Sequence, residues 1–293
     1  MRSGEQIRWR LAAHIILSIM SLLALLPFIL LIISSFTDES AALANGYSYF
    51  PVKWSTLAYD YILKEASVLG RAYGMTLFVT AAGTSINLLI SSLLAYMLSK
   101  RGLPGGKVLN FAVIFTMLFN GGLVPTYLVY TGTLQIKNTI FALIVPNLLL
   151  SAFMIMLLRN YFEHSIPESL YESAYIDGAG EFYTFFKIVV PLSKPILATV
   201  GLLVAIAYWN DWQNGLYYLS DTRLYTIQNI LNDINRNIQF LAANSVTGVN
   251  IAELPTTTVR MSIAVVGILP ILILYPFFQR YFVKGITMGA VKG

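Results

Sequence analysis

Long apolar segments recur along this chain, and shorter polar stretches separate them. Each apolar segment has about the 20 helical residues that cross a hydrocarbon core of about 30 Å. We therefore predict an all-α, polytopic membrane protein with six transmembrane helices, at residues 15–36, 75–98, 108–131, 139–158, 196–216 and 261–282. These helices form one transmembrane domain over residues 15–284, which follows a short N-terminal segment, residues 1–14.

The first apolar segment distinguishes a retained anchor from a cleaved signal peptide. It follows Arg8 and Arg10 and runs from Ile15 to Phe36 without a charged residue. A signal peptide has an apolar core of about 7–15 residues and a small-residue cleavage site. The longer core predicts an uncleaved first helix.

Composition supports the membrane interpretation and excludes several kinds of site. Of 293 residues, 57% are hydrophobic and only 11% are charged, whereas soluble domains have about 25% charged residues. The chain has no cysteine, which excludes disulfides, thiol nucleophiles and thiolate metal sites. Its two histidines, His14 and His164, are too few and too far apart for a histidine zinc centre.

The distribution of basic residues predicts the orientation in the membrane. If the N-terminus is cytoplasmic, 12 of the 19 Lys and Arg residues lie in inner segments and seven lie in outer segments. Cytoplasmic loops carry an excess of Lys and Arg. We therefore predict a bacterial inner-membrane protein with both termini in the cytoplasm, and nucleic acid is excluded as the reason for the net charge of +5.

The six predicted span interiors contain no Lys, Arg, Asp, Glu or His; Asp211 lies near the end of the fifth. Ion-driven carriers place ionisable groups at membrane depth, so their absence argues against ion-coupled transport by this chain alone. Uncharged amides at Asn120, Asn147 and Asn210 are candidates to line a path for a polar solute. The alternative is that such amides form hydrogen bonds between helices.

Residues 163–195, between the fourth and fifth spans, predict a short helix, a sharp turn and a second helix. Ser165 and Glu168 have the spacing of a capping box, and Ile166, Leu170 and Ala174 recur on one face. Gly178 begins a Gly-Ala-Gly turn, where glycine allows a positive φ. A second amphipathic stretch follows and ends at Pro191, with its apolar face formed by Phe182, Phe185, Phe186 and Val189.

This helix pair either rests on the lipid surface or docks onto a protein. Its acidic residues precede the first basic residue, Lys187, and are Glu168, Glu172, Asp177 and Glu181. Helices that bind membrane surfaces favour Lys and Arg on their polar face. The acidic residues favour docking into a basic cleft of a partner protein.

The same segment resembles the EAA loop of bacterial ABC sugar-importer permeases of the maltose-importer type. The signature is E-A-A, three residues, G, nine residues and I-x-L-P, and it matches Glu172, Ala174, Gly178, Ile188 and Pro191. Ser173 and Val190 are mild departures from it. The stretch at 191–200 and the C-terminal 279–293 also resemble this family.

The resemblance implies roles for particular residues. Glu172, Ala174, Asp177 and Gly178 would form a cytoplasmic coupling helix and turn that sit in a cleft of an ATPase subunit, with Ile188 and Pro191 completing the motif. The tail 285–293 would extend toward the ATPase dimer. The outer loop 217–260 would touch an extracytoplasmic solute-binding protein, although its aromatic and amide side chains also suit direct sugar binding.

Residues 119–126, FNGGLVPT, resemble a subgroup of sugar permeases that includes alginate and oligouronate importers, and the whole chain resembles the smaller permease of an alginate importer. The glycine pair and Pro125 either break the third span beside a cavity or make a tolerated kink at a helix end.

Three classes of function remain to be compared. The favoured one is a permease subunit of an ATP-driven importer, with a second permease subunit and two copies of an ATPase subunit. The chain has no G-x-x-x-x-G-K-[ST] loop, so ATP and Mg²⁺ are expected on the partner ATPase and no cofactor is expected here. A self-contained channel or secondary carrier is the alternative. A membrane enzyme lacks support, because there is no nucleophile elbow or histidine cluster.

Overall fold

The structure is a computed structural model, and it describes residues 4–64, 66–100, 102–243 and 257–273. Within these ranges the chain is mostly helical and forms no strand, apart from one isolated bridge between Thr37 and Trp54. The all-α prediction is therefore confirmed for the described part of the chain. The described residues fall into two compact units.

The first unit contains the chain up to Val68 and residues from Leu231 to Ile271. Its helices are α1 (Gly4–Ser35), α2 (Glu39–Asn45), α3 (Leu57–Lys64) and α15 (Thr257–Ile273). The apolar run of α1 keeps its helical course through Pro27. After α1 the chain is held by a Ser35–Tyr59 hydrogen bond of 2.8 Å and an Asp38–Lys53 ion pair of 3.0 Å.

One side chain of α2 caps another helix in this unit. The Glu39 carboxylate accepts hydrogen bonds from the backbone N–H groups of Thr257 and Thr258, both at 2.8 Å, and from the Thr258 hydroxyl at 2.7 Å. The first N–H groups of a helix have no partner within the helix, and its N-terminus favours negative charge. Glu39 therefore fixes the start of α15.

The second unit is built from residues Leu69–Ile230. Its helices, in chain order, are α4 (Ala66–Ser99), α5 (Gly106–Leu118), α6 (Leu123–Leu128), α7 (Phe141–Ile144), α8 (Ala152–Ser165), α9 (Glu168–Ile176), α10 (Glu181–Thr184), α11 (Val190–Leu192), α12 (Lys194–Trp209), α13 (Gln213–Tyr218) and the start of α14 (Ile227–Ala243). A π-helical turn extends α6 over Val129–Thr133, and another joins α10 to α11 over Phe185–Val189. The core includes Ala95 of α4, Leu158 of α8 and Val200 of α12.

Two of the six predicted spans are single long helices. The spans 15–36 and 75–98 correspond to α1 and α4, in which Arg8–Ser35 and Ala66–Ser99 are long and apolar enough to cross a membrane. The described residues contain two such helices, or up to four if each of two bent pairs is one span. The count of six is not confirmed, and the end of the sixth predicted span lies outside the described residues.

The spans predicted over 108–131, 139–158 and 196–216 are all interrupted: a break in the first was one of the two alternatives for the glycine pair and Pro125, whereas the continuous helices predicted for the other two are wrong. The first is two helices, Gly106–Leu118 and Leu123–Thr133, bent by 117°. The second is α7 and α8 with an irregular stretch between them, and the third is α12 and α13 separated at Asn210–Trp212. Apolar composition does not encode these breaks, because broken and continuous helices bury the same kinds of side chain in the membrane.

Candidate functional site

The turn after α9 is a helix C-cap that requires glycine. Gly178 has φ +74°, as the sequence predicts. Its N–H donates to the Tyr175 carbonyl at 3.0 Å, and the Ala179 N–H donates to the Ala174 carbonyl at 2.9 Å. These two bonds make a Schellman motif, which commonly ends helices at a left-handed glycine. A Cβ at position 178 would meet nothing within 4 Å, so the requirement is conformational rather than steric.

The start of α9 differs from the predicted capping box. Ser165 is the last residue of α8, Ile166 is extended, and Pro167 occupies the N-cap of α9 without a side-chain cap hydrogen bond. A residue before proline is disfavoured from the helical region, which explains why Ile166 separates the two helices. The capping role of Ser165 is therefore wrong, although the helix itself is confirmed.

The predicted faces of α9 are correct only in part. Ala174 is buried, as expected, and so is Ile166, but Leu170 is exposed and Tyr171 is half-buried instead. Tyr175 and Ile176 are 84% and 82% exposed, and the carboxylates of Glu172 and Asp177 are exposed with them. We name these four residues the docking face. It presents two uncovered apolar side chains between two acids.

The helix after the turn runs over Glu181–Leu192 and then bends by 84° into α12. Phe185 and Val189 are buried, but Phe182 and Phe186 are exposed, so the single apolar face that the sequence predicts for these four residues is wrong. The π-turn changes the register: the Val190 N–H donates to the Phe185 carbonyl, five residues back. This wider turn precedes Pro191, whose ring would clash with the carbonyl four residues back in a regular helix.

Four of the six predicted coupling residues line one open cavity. Ala174, Asp177, Gly178 and Ile188 surround a space of about 590 Å³. Glu172 lines a neighbouring groove of about 550 Å³. Pro191 lies in α11, close to the bend into α12.

Sequence reasoning missed a polar cluster that joins this turn to α4. The Tyr96 hydroxyl donates to Glu181 Oε2 at 2.7 Å, and the Lys100 ammonium pairs with the same oxygen. The hydrogen bonds from Lys100 and Tyr96 hold the pKa of Glu181 below its ordinary value. The sequence indicates only that Lys100 and Glu181 carry opposite charges. Because they lie 81 residues apart, no sequence spacing predicts that they form a pair.

The three amides predicted to line a substrate path each lie at a helix break, and all three are exposed. At the first break, Asn120 Oδ1 accepts from the Gly122 N–H at 2.8 Å, and Gly122 has φ +87°. At the third, Asn210 Nδ2 donates to the Ile206 carbonyl at 3.0 Å. Asn210 Oδ1 also accepts from Gln228 Nε2 of α14 at 3.4 Å, and the buried Asn87 of α4 donates to the Leu148 carbonyl at 2.8 Å.

The break between α7 and α8 shows how irregular backbone is tolerated in a membrane protein. Asn147 has φ +61° and is exposed. Three carbonyls around it accept hydrogen bonds from other helices: Ile144 from the Tyr208 hydroxyl at 2.8 Å, Pro146 from Asn214 Nδ2 at 3.0 Å, and Leu148 from Asn87 Nδ2 at 2.8 Å. Side chains thus replace the lost helical bonds, as lipid requires.

The break between α12 and α13 is supported in the same way. Asn229 Nδ2 donates to the Trp212 carbonyl at 2.8 Å, and Asp211 Oδ1 accepts from the N–H groups of Gln213 and Asn214, both at 3.2 Å. The carboxylate therefore caps the start of α13. Across the described ranges, no group of three or more His, Asp and Glu residues could hold a metal ion.

Comparisons with known proteins agree with this geometry. Residues 103–288 match the family described as binding-protein-dependent transport system inner membrane component. The chain is 38% identical over 279 residues to the polygalacturonan/rhamnogalacturonan transport system permease protein YtcP of Bacillus subtilis (strain 168), which covers 93% of this chain and 94% of that protein. It is 29% identical to the arabinooligosaccharides transport system permease protein AraQ of Halalkalibacterium halodurans, over 92% of both chains.

A solved structure is similar over nearly the whole chain. It is the crystal structure of a bacterial ABC transporter involved in the import of the acidic polysaccharide alginate, with a TM-score of 0.77 and 31% identity, covering 96% of this chain and 99% of that chain. The chain therefore belongs to the family of binding-protein-dependent transport system inner membrane components, as a permease component of an ABC importer for sugars or oligosaccharides.

Proposed function

We propose that this permease component carries an acidic, uronate-containing oligosaccharide inward across the bacterial inner membrane. The polygalacturonan relative and the alginate transporter both handle polymers of uronic acids, and each matches more than nine-tenths of this chain. An ABC importer of this family works with a second permease subunit, an ATPase and a solute-binding protein. We propose two ATPase copies and a heterodimer of permeases.

The docking face is the observation that carries the proposed coupling to ATP hydrolysis. Tyr175 and Ile176 are almost fully exposed at the end of α9, and Glu172 and Asp177 add negative charge beside them. A basic cleft with an apolar floor, on the ATPase subunit, complements this surface. We infer that Glu172, Ala174, Asp177 and Gly178 dock there, and that Ile188 and Pro191 hold the second helix behind the turn.

The substrate path runs, in this proposal, past Asn120, Asn147 and Asn210. Each amide is exposed at a break, where irregular backbone in a membrane protein lines protein-enclosed or water-filled space. Neutral amides hydrogen-bond to sugar hydroxyls and carboxylates alike. Cationic side chains that balance a uronate would come from the second permease.

The proposed topology has six spans, with residues 1–14 and both termini in the cytoplasm. The EAA loop 163–195 is then cytoplasmic and the outer loop 217–260 faces the solute-binding protein, while the tail 285–293, outside the described residues, extends toward the ATPase dimer. Because the chain has no cysteine, single cysteines report on sidedness. With a membrane-impermeant thiol reagent on intact spheroplasts, Asn237→Cys should be labelled and Ser169→Cys should not; both positions are exposed. The reverse pattern would contradict the orientation.

The decisive experiment purifies the tagged chain from its own host in mild detergent and identifies its partners by mass spectrometry. We expect a P-loop ATPase, a second permease and a solute-binding protein. In proteoliposomes, a trimer of galacturonate or of alginate uronates should stimulate ATP hydrolysis and be taken up, whereas a neutral oligosaccharide of the same length should not. Uptake without any ATPase would instead support a self-contained carrier, and preference for the neutral sugar would exclude the acidic substrate.

A further inference from the structure

Tyr96 of α4 contacts both helices that flank the Gly178 turn. Its ring centroid lies 6.2 Å from that of Tyr171 in α9 and 5.3 Å from that of Phe185 in the following helix. Its hydroxyl donates to Glu181, the first residue of α10, at 2.7 Å. One residue of α4 thus contacts the helix before the turn and the helix after it.

The neighbouring ion pair between Lys100 and Glu181 orients the Glu181 side chain more than it stabilises the fold. Lys100 and Glu181 have side chains that are 31% and 68% exposed, and exposed ion pairs contribute little free energy of folding. Tyr96 is only 4% exposed, so its ring cannot leave without opening a cavity. The buried Tyr96 is therefore the contact that stays in place between α4 and the Gly178 turn. The Lys100 ammonium lies 4.8 Å from the centroid of the Tyr96 ring and helps to keep the Glu181 carboxylate beside the Tyr96 hydroxyl.

The same helix reaches the break that contains Asn147. Asn87 lies nine residues before Tyr96 on α4, about 14 Å along the axis, and its amide donates to the Leu148 carbonyl at 2.8 Å. Asn87 is fully buried and also accepts from Ser91. A rigid helix thus connects the Gly178 turn at one end with the α7–α8 break farther along.

We propose that Tyr96 is a positioning residue that makes α4 and the Gly178 turn move as one body, so that a displacement of the docking face reaches the Asn147 break through α4. This inference rests on the proposed docking of α9 onto an ATPase subunit. Arg159 of α8 donates to the Leu98 carbonyl at 3.1 Å, which attaches α8 to the same end of α4. The moving body therefore includes α4, the end of α8 and the two helices around the turn.

The first test measures transport per ATP hydrolysed in the reconstituted complex. Tyr96→Phe keeps the ring and removes only the hydroxyl, so we expect normal ATPase copurification, a small loss of thermal stability and about a tenfold loss of transport per ATP, the low end of the effect of one hydrogen bond to a charged group. Tyr161→Phe is the matched control, because its hydroxyl lies near the same loop but makes only a 3.4 Å contact with the Leu192 carbonyl. Equal transport per ATP in both variants would overturn the proposal.

The second test asks whether the connection must stay closed during transport. The double variant Lys100→Cys/Glu181→Cys removes the ion pair and also the carboxylate that accepts from the Tyr96 hydroxyl, so we expect it to lower transport per ATP as well. A short bifunctional thiol reagent that joins the two cysteines should restore that ratio, since the two elements move together. A crosslink that abolishes transport, or leaves the lowered ratio unchanged, would overturn the proposal. If no ATPase copurifies with the unmodified chain, the proposed function fails instead, and the two failures are distinguishable.

Discussion

Gly83 of α4 faces the ring of Tyr208 of α12 so closely that a methyl group at position 83 would lie 2.6 Å from the ring carbon Cε1. The missing side chain lets Tyr208 lie flat against α4 and reach the Ile144 carbonyl, to which its hydroxyl donates at 2.8 Å. Close approach of helices at small residues is typical of membrane bundles. Gly83 therefore supports the α7–α8 break indirectly.

We predict that Gly83→Ala destabilises the protein by about 1–3 kcal/mol, because the methyl group displaces a buried ring and breaks its hydrogen bond. The measurement is the unfolding midpoint of the purified protein in detergent. Gly74→Ala, on the same helix, meets nothing within 4 Å and should be neutral or slightly stabilising, since alanine is the better helix former. Equal midpoints for the two variants would contradict the packing described for Gly83.

Asn87→Leu should cost about 1–3 kcal/mol, since it leaves the Leu148 carbonyl without its donor in a buried site. The leucine has a similar volume, so the loss reports the hydrogen bond more than a cavity. Ser85→Ala removes an exposed hydroxyl that bonds within α4, and its effect should be small. The comparison uses thermal unfolding and uronate uptake, and an Asn87→Leu variant with unchanged values in both would show that this carbonyl needs no partner.

For the turn, Gly178→Val should uncouple ATP hydrolysis from transport. A β-branched residue at φ +74° costs about 1–3 kcal/mol and would shift the turn that carries the docking face. Gly180→Val is the matched control: Gly180 also has nothing within 4 Å, but its φ is −73°, which valine adopts freely. Substrate-stimulated ATP hydrolysis in proteoliposomes should fall in the first variant and not in the second.

Glu172→Lys reverses the charge at position 172 and brings the net charge of the docking face from −2 to 0, because Asp177 remains. We expect normal membrane insertion and weakened copurification of the ATPase, because the attraction between position 172 and a basic cleft becomes repulsion. Salt should weaken the wild-type complex in the same direction. Wild-type copurification and transport in this variant would exclude Glu172 from the contact.

The cap of α15 predicts a pH dependence. Burial raises the pKa of Glu39, but the hydrogen bonds from Thr258 and Thr257 lower it by more than burial raises it, so the pKa lies below its ordinary value. A carboxyl with a lowered pKa in the folded state contributes stability above its unfolded value, about 4.3, and loses that contribution as pH falls through the folded value. At pH 7 the unfolding midpoint of the wild-type protein should be higher than that of Glu39→Gln. The difference between the two midpoints should become smaller toward about pH 3.5. A gap that widens in acid would contradict the lowered pKa.

Features set by neighbouring residues could be predicted from the sequence, whereas features that depend on contacts between residues far apart in the chain could not. Gly178 was predictable because a glycine between two amphipathic stretches indicates a left-handed turn, and α1 and α4 follow from apolar length alone. The glycine pair and Pro125 indicated the break after α5 as one of two alternatives, but the breaks after α7 and α12 were not predictable, because the side chains that satisfy the freed carbonyls, such as Tyr208 for Ile144, come from distant segments. The contact of Tyr96 with Glu181, 85 residues apart, has no pattern in the sequence. The apolar face predicted for the helix after Gly178 was also wrong, since the π-turn before Pro191 shifts the register of its side chains.

The side-chain donors of the α7–α8 break also impose an order on biosynthesis. Asn87 precedes the break, but the donors to Ile144 and Pro146 lie 64 and 68 residues after those carbonyls. At about 5–20 residues per second, several seconds pass between translation of the break and of Asn214. During that interval two backbone carbonyls have no partner from this chain and bare lipid would penalise them. The nascent α7–α8 segment therefore has to stay in contact with water or the insertion machinery. It can enter the lipid once α12 and α13 have been made and Tyr208 and Asn214 bind its carbonyls.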